Sequence, residues 1–167
     1  MEGLLITFEG PDGAGKTTQV YLVDEYLREK GYNTLVTREP GGTSISEEIR
    51  NILLNSVHSE MDALTEMYLY AAARAQHVKQ VIKPALREGK IVLCDRFVDS
   101  SIAYQGFGRG LGMDVVETVN QYALQGTEPD LTLLFKMDIE KALNRGRARS
   151  GCLDRLEREK LEFHRRV

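Results

Sequence analysis

Eight consecutive residues, Gly10-Pro11-Asp12-Gly13-Ala14-Gly15-Lys16-Thr17, satisfy the pattern GxxxxGK[ST]. Glycines in such a run let successive backbone N–H groups turn inward onto phosphate oxygens. The N-terminus of a following helix adds the positive end of its dipole. At this spacing Lys16 reaches the β- and γ-phosphates of a nucleotide, and the Thr17 hydroxyl can ligate Mg²⁺. Thr18 continues the same turn. A glycine-rich turn without a ligand is the bland alternative. The context favours the cradle, because an apolar run precedes it and an amphipathic segment follows.

Further along, Ile91-Val92-Leu93-Cys94 is an apolar run that ends in Asp95. This is the pattern of a Walker B strand, which brings a carboxylate to the metal; a strand-end turn cap is the other reading of Asp95. Arg96 follows immediately, and Arg38 ends another apolar run before Glu39-Pro40-Gly41-Gly42. Two guanidinium groups at the carboxyl edge of a sheet suit a second phosphate dianion, since each offers bidentate donors. Surface ion pairing with Glu39 and Asp95 is the alternative for these arginines. Tyr70 and Arg74 stand one helical turn apart, as a stacking ring beside a carbonyl-reading donor or as an ordinary cation–aromatic pair. Ser100, Ser101, Tyr104, Gln105 and Gly106 follow Arg96 closely and offer hydroxyl, aromatic and amide groups to a sugar and base. Spacing alone leaves that open. The guanine-reading pattern NKxD does not occur.

The elements that must hold these groups are legible as a pattern. Apolar runs at 4–9, 34–38, 91–95 and 131–137 predict strands, mostly without polar alternation, as parallel strands buried on both faces require. Amphipathic segments predict helices over 16–30, with Val20, Val23 and Leu27 inward, and over 44–54, opened by a capping box of Ser44 and Glu47. A long helix is expected with Leu64, Tyr68, Ala71, Ala75, Val78 and Ile82 on its apolar stripe. Another carries Val115, Val119, Tyr122 and Ala123, Asp138 caps one more, and the chain from Asp154 onward reads as helical. Alternation of β and α predicts an α/β fold, a parallel sheet flanked on both faces by helices. The 167 residues, 42% hydrophobic, suit a single domain with a real core. A net charge of −3 excludes a broad nucleic-acid or membrane surface, so phosphate binding must rest on local cations. No membrane span or signal segment is visible. Cys94 and Cys152 form no paired or metal-binding pattern, which points to a reducing, cytoplasmic setting.

Six segments together resemble the thymidylate kinase family: FEGPDGAGKTT at 8–18, TREPGGT at 37–43, YAAAR at 70–74, DRFVDSSIAYQG at 95–106, PDLTLLF at 129–135 and RARSGCLDRLE at 147–157. The pairing of TREPGG with the DRFVDSS segment is much more specific than the cradle. The resemblance implies a P-loop kinase fold, ATP and dTMP as substrates, Mg²⁺ as the metal held by Thr17 and Asp95, and a homodimer. It also implies roles by position. Tyr70 stacks on thymine, Arg74 bonds a thymine carbonyl, and Gln105 and Ser100 lie near the nucleoside. Asp12 holds the 3′-hydroxyl, Tyr104 crowds the 2′ position, and Arg38 and Arg96 grip the acceptor phosphate. Asp95 organises metal and acceptor.

No basic residue occupies positions 11–14, so the resemblance implies a lid around 145–157 that supplies catalytic arginines. Arg147, Arg149 and Arg155 are the candidates, with Arg149 and Arg155 preferred; a solvated basic helix end is the alternative. Relatives continue beyond the point where this chain stops, with a further strand, an adenine-contacting loop and a helix. Those elements are expected to be absent here. His58, His77 and His164 lack metal-ligand spacing and are expected at the surface or in packing. Two other functions compete: a kinase acting on a different nucleotide or nucleoside, and an ATP-dependent switch that transfers no phosphate.

Overall fold

The computed structural model describes residues 3–149 and 153–167, with side chains throughout these spans except 146–149. Four strands, β1 (Leu4–Glu9), β2 (Thr34–Arg38), β3 (Ile91–Asp95) and β4 (Leu131–Leu134), form one sheet in the order β2-β3-β1-β4. Every pairing is parallel, with Arg38 opposite Asp95, Asp95 opposite Phe8, and Glu9 opposite Leu134. The chemistry-bearing residues at the strand ends therefore share one carboxyl edge. The sheet is the expected one, although the fourth strand ends at Leu134 rather than 137. Phe135 N still donates to Glu9 O at 2.8 Å.

Strand alternation divides the core between the two faces. Leu5, Val92 and Cys94, with Leu35, pack against Val78, Ile82 and Ala85 on one face. Phe8 and Leu93, with Ile6 and Val36, pack on the other against Val20, Val23 and Leu27 of α1 (Lys16–Glu29). Each fully buried side chain of this size contributes about 1.5–3 kcal/mol. Residues apolar on both faces explain why these strands show so little alternation in sequence.

The helix α2 (Ser44–Leu54) has the predicted span but a different cap. Thr43 is the N-cap, accepting from Ser46 N at 3.0 Å, while Glu47 reaches back to Gly42 N at 2.9 Å. The long helix begins as α3 (Ala63–His77), widens into a π-turn (Val78–Ile82) and ends as α4 (Lys83–Arg87). Its inner face keeps only part of the predicted stripe: Ala71, Val78 and Ile82 are buried, but Leu64 and Tyr68 are exposed, and Glu66, Met67, Arg74 and His77 are buried instead. After the four-residue α5 (Val98–Ser101), a π-helical stretch (Ile102–Gly108) leads to α6 (Met113–Leu124), which buries Val116, Asn120 and Ala123 and exposes Val115 and Tyr122. In both helices the inward face carries charged or amide groups satisfied by partners in three dimensions, and an apolar-period search cannot see them. Asp138 caps α7 (Ile139–Arg149) through Lys141 N at 3.0 Å. From Asp154 the chain makes a turn and then only the short α8 (Leu161–Arg166), not one continuous helix.

Candidate active site

The loop after β1 rises directly from the sheet edge. Gly10 has φ +137, and a Cβ there would lie 2.4 Å from Phe135 O, so only glycine lets the loop leave β1 beside β4. Gly15, at φ 91, is the N-cap of α1, and Lys16 is its first residue. The cradle expected from the sequence is formed. Lys16 is 5% exposed and rests its Nζ 3.0 Å from Pro11 O and 3.9 Å from the Asp12 carboxylate. Burial, and then the nearby Arg96 guanidinium, lower its pKa to about 8, against the pull of Asp12, Asp95 and Glu9. Thr17 Oγ1 donates to Asp95 Oδ2 at 2.6 Å, which unites the two candidate metal ligands across 78 residues of sequence. Thr18 is exposed on the first turn of α1.

Arg96 is the junction of the site. Its N–H continues the β1–β3 ladder to Phe8 O at 3.0 Å, yet its φ is +68. A left-handed residue of this size costs about 1–3 kcal/mol, and such strain concentrates at functional positions. The turn sends the guanidinium over the cleft. There Nη2 lies 2.6 Å from Asp12 Oδ1, Nη1 donates to Ser100 Oγ at 3.0 Å, and the group stacks 5.3 Å above the Tyr104 ring. Burial would raise the Asp12 pKa, but Arg96 and Lys16 outweigh it and lower the value to about 2. Burial pushes the Tyr104 phenol up to about 12.

Of three cavities that border both Arg96 and Asp12, two hold the candidate phosphate- and base-binding residues. A phosphate-sized cleft of about 310 Å³ is lined by Lys16, Thr17, Arg38, Arg50 and Asp95 as well as that pair. A narrower cavity of about 90 Å³ is lined by Tyr70, Arg74, Ser101, Tyr104 and Gln105. Tyr70 is half-buried there, and burial raises its phenol well above the usual range. Arg38 reaches the cleft from the β2 end while bonded to Glu47 Oε2 at 2.9 Å.

With this geometry the relatives can be compared. A family described as thymidylate kinase matches residues 8–167. A thymidylate kinase of Geobacillus sp. (strain WCH70) is 54% identical over 168 residues, covering all of this chain and 80% of the relative. One from Pelotomaculum thermopropionicum is 56% identical over 168 residues, covering all of this chain and 77% of the relative. The crystal structure of a thymidylate kinase from Ehrlichia chaffeensis superposes with a TM-score of 0.76 at 42% identity, covering 89% of this chain and 82% of that one. The chain belongs to the thymidylate kinase family.

Within this thymidylate kinase family member, several predicted site residues have a second engagement. Arg74 is 2% exposed and serves as a structural hub: Nε donates to Glu39 Oε2 at 2.7 Å, Nη2 to Phe97 O at 3.0 Å, and Nη1 to Ser101 Oγ and Asn120 Oδ1. His77, also buried, bonds Glu39 Oε1 and Thr37 Oγ1. A Cβ on Gly42 would lie 2.6 Å from that ring, so the loop after the cis Glu39–Pro40 peptide packs directly on it. Arg155 does not line the phosphate cleft. It is buried, with Nη1 2.6 Å from Glu66 Oε2 and Nε donating to Leu53 O at 2.8 Å. Its LDRLE context gave no hint that the burial partner lies on α3. The side chains of Arg147 and Arg149, and the whole of Cys152, lie outside the described residues.

Sequence reasoning missed three residues. Arg50 lines both cavities and donates to Pro40 O at 2.9 Å. Glu9 is buried beneath Arg96, accepting from Phe97 N at 2.7 Å and Ser100 Oγ at 2.6 Å; burial raises its pKa against the lowering effect of Ser100 and Arg96. Glu66 is the third. A carboxylate at the last position of a buried apolar strand was a readable signal for Glu9. No local pattern marks Arg50 or Glu66.

Proposed function

We propose that this site carries out the reaction of its family, transfer of the γ-phosphate of ATP to dTMP to give dTDP and ADP, with the following division of labour. The observation that carries the assignment is the junction at Arg96 and Asp12, where the phosphate cleft opens into the cavity of Tyr70 and Gln105. A nucleoside monophosphate placed across that junction has its base against Tyr70, its sugar beside Tyr104 and Asp12, and its phosphate facing the cradle. The backbone of residues 10–18 and Lys16 bind the ATP phosphates. Arg96 and Arg38 hold the acceptor phosphate in line, with Ser100 steadying Arg96 at 3.0 Å. Arg50 adds a third guanidinium to that cleft.

Thr17 and Asp95 fit a Mg²⁺ ion, since a hydroxyl and a carboxylate oxygen converge at the phosphate end of the cleft. That ion neutralises charge on the phosphates it binds. The remaining transition-state charge requires a cation that positions 11–14 do not supply. We assign it to the lid around 145–157, with Arg149 at the end of α7 as the principal group. Arg155 is assigned to holding the segment after the lid, on the strength of its pairing with Glu66.

A homodimer is supported by the packing of α3 beside α6 and by the exposure of Leu64 and Tyr68 on one and Val115 and Tyr122 on the other. A cytoplasmic setting is supported by the buried free thiol of Cys94 and by the need for ATP. No helix among the described residues is long and apolar enough to cross a membrane. A coupled assay offering dTMP, dUMP, UMP, CMP, GMP and AMP separately tests the reading. dTMP is expected to give the highest kcat/KM, and equal or better turnover of any ribonucleotide would refute it.

A further inference from the structure

Glu66 has no place in the reaction above, yet its carboxylate is fully buried on α3. Oε1 accepts from Gln105 Nε2 at 2.8 Å and Arg109 Nε at 3.1 Å. Oε2 pairs with Arg109 Nη2 at 2.9 Å and Arg155 Nη1 at 2.6 Å. Burial would raise its pKa, but Arg109, Gln105 and Arg155 outweigh that and keep it below the usual carboxylate value. An ionised carboxylate only accepts hydrogen bonds.

This dictates the orientation of a neighbouring amide. The NH₂ end of Gln105 must face Glu66, so its Oε1 is turned the other way, and it accepts no hydrogen bond from the described residues. Gln105 lines the cavity that also contains Tyr70 and Arg74. Arg74 has five N–H donors and spends four of them on Glu39, Ser101, Asn120 and Phe97, leaving one on Nη2. The cavity thus offers one fixed acceptor and one remaining donor to the edge of a base.

We propose that Glu66 is a specificity-determining positioning residue: by clamping the Gln105 amide nitrogen it presents the amide oxygen to the base, which selects pyrimidines carrying a ring N–H beside a carbonyl. Thymine and uracil have that edge. Cytosine reverses it, placing an acceptor nitrogen against the Gln105 oxygen and an amino group against the Arg74 donor. Leaving such buried groups mispaired is what gives polar sites their largest discrimination. The inference rests on a pyrimidine monophosphate being the acceptor.

The test compares kcat/KM for dTMP and dCMP in wild type, Glu66→Gln and Arg109→Met. In Glu66→Gln the new amide can donate as well as accept, so Gln105 is free to turn. The dTMP-over-dCMP ratio should then fall by at least about tenfold, through KM more than kcat. Arg109→Met removes a partner of Glu66 without touching the Gln105 bond, and should lower Tm while leaving the ratio unchanged. An unchanged ratio in Glu66→Gln overturns the proposal, and so does an equal drop in Arg109→Met, which would make Glu66 merely structural. If Glu66→Gln does not fold, the wild-type Gln105 side-chain amide decides by NMR. Its protons should exchange slowly with water both before and after dTMP binds; fast exchange in either state overturns the proposal. A wild-type protein that phosphorylates neither pyrimidine refutes instead the substrate reading beneath it.

Discussion

Lys16 is positioned for phosphate rather than for the core, since its ammonium rests on a loop carbonyl 3.0 Å away. Lys16→Ala is therefore expected to lower kcat on the order of 10²-fold or more with Tm nearly unchanged, as read by steady-state assay and thermal melt. Its titration gives a second expectation. With a pKa lowered to about 8, the free enzyme loses this charge as pH rises through 8. kcat/KM for ATP should fall along an alkaline limb centred there. Bound phosphate favours the charged form, so kcat should hold to higher pH; a flat kcat/KM profile across the limb would refute the role. Tyr104 acts by shape, with its ring held under Arg96 at 5.3 Å. Tyr104→Ala should open the 2′ side and improve UMP relative to dUMP by roughly tenfold in kcat/KM, while an unchanged ratio would remove Tyr104 from sugar selection.

At the scale of elements, the join between β2 and α2 matters most, because Arg38 reaches the cleft from it. Thr43 caps α2 through Ser46 N, and Ser46 in turn donates to Ala73 O at 2.9 Å, fastening α2 to α3. Thr43→Ala should cost about 1 kcal/mol of stability, measurable by urea unfolding. The capping residue lay one position before the one predicted: Ser is the better cap by type, but Thr can also cap, and the backbone turn at Gly42 places Thr43 there. The end of α7 carries the other element-scale expectation. Arg149→Ala should lower kcat by roughly 10²–10⁴-fold with the KM for dTMP nearly intact, a loss of transition-state rather than ground-state binding. A variant with normal kcat, or with only KM altered, would place the catalytic cation elsewhere.

For the whole molecule, the surface shared by α3 and α6 holds apolar groups that the core does not use. Tyr122, 81% exposed, is the most open of them. Tyr122→Asp should shift the protein from dimer to monomer in light scattering coupled to size exclusion; a wild type that is monomeric at micromolar concentration would refute the assembly. The sequence by itself determined the cradle, the four strands with their parallel sense, and the convergence of Asp95, Arg96 and Arg38 on one edge. These depend on short-range rules: glycine conformations, strand period, and the fact that parallel strands end on the same side. Tertiary structure alone decided which polar groups are buried. Glu66, Arg74, His77 and Arg155 read locally as surface or site residues, and each is held inside by partners 35 or more residues away, among them Glu39 with Arg74 and Asn120 with the same guanidinium. A charge can be buried only where a partner offsets its desolvation, and that partner is chosen by the fold rather than by neighbours in sequence.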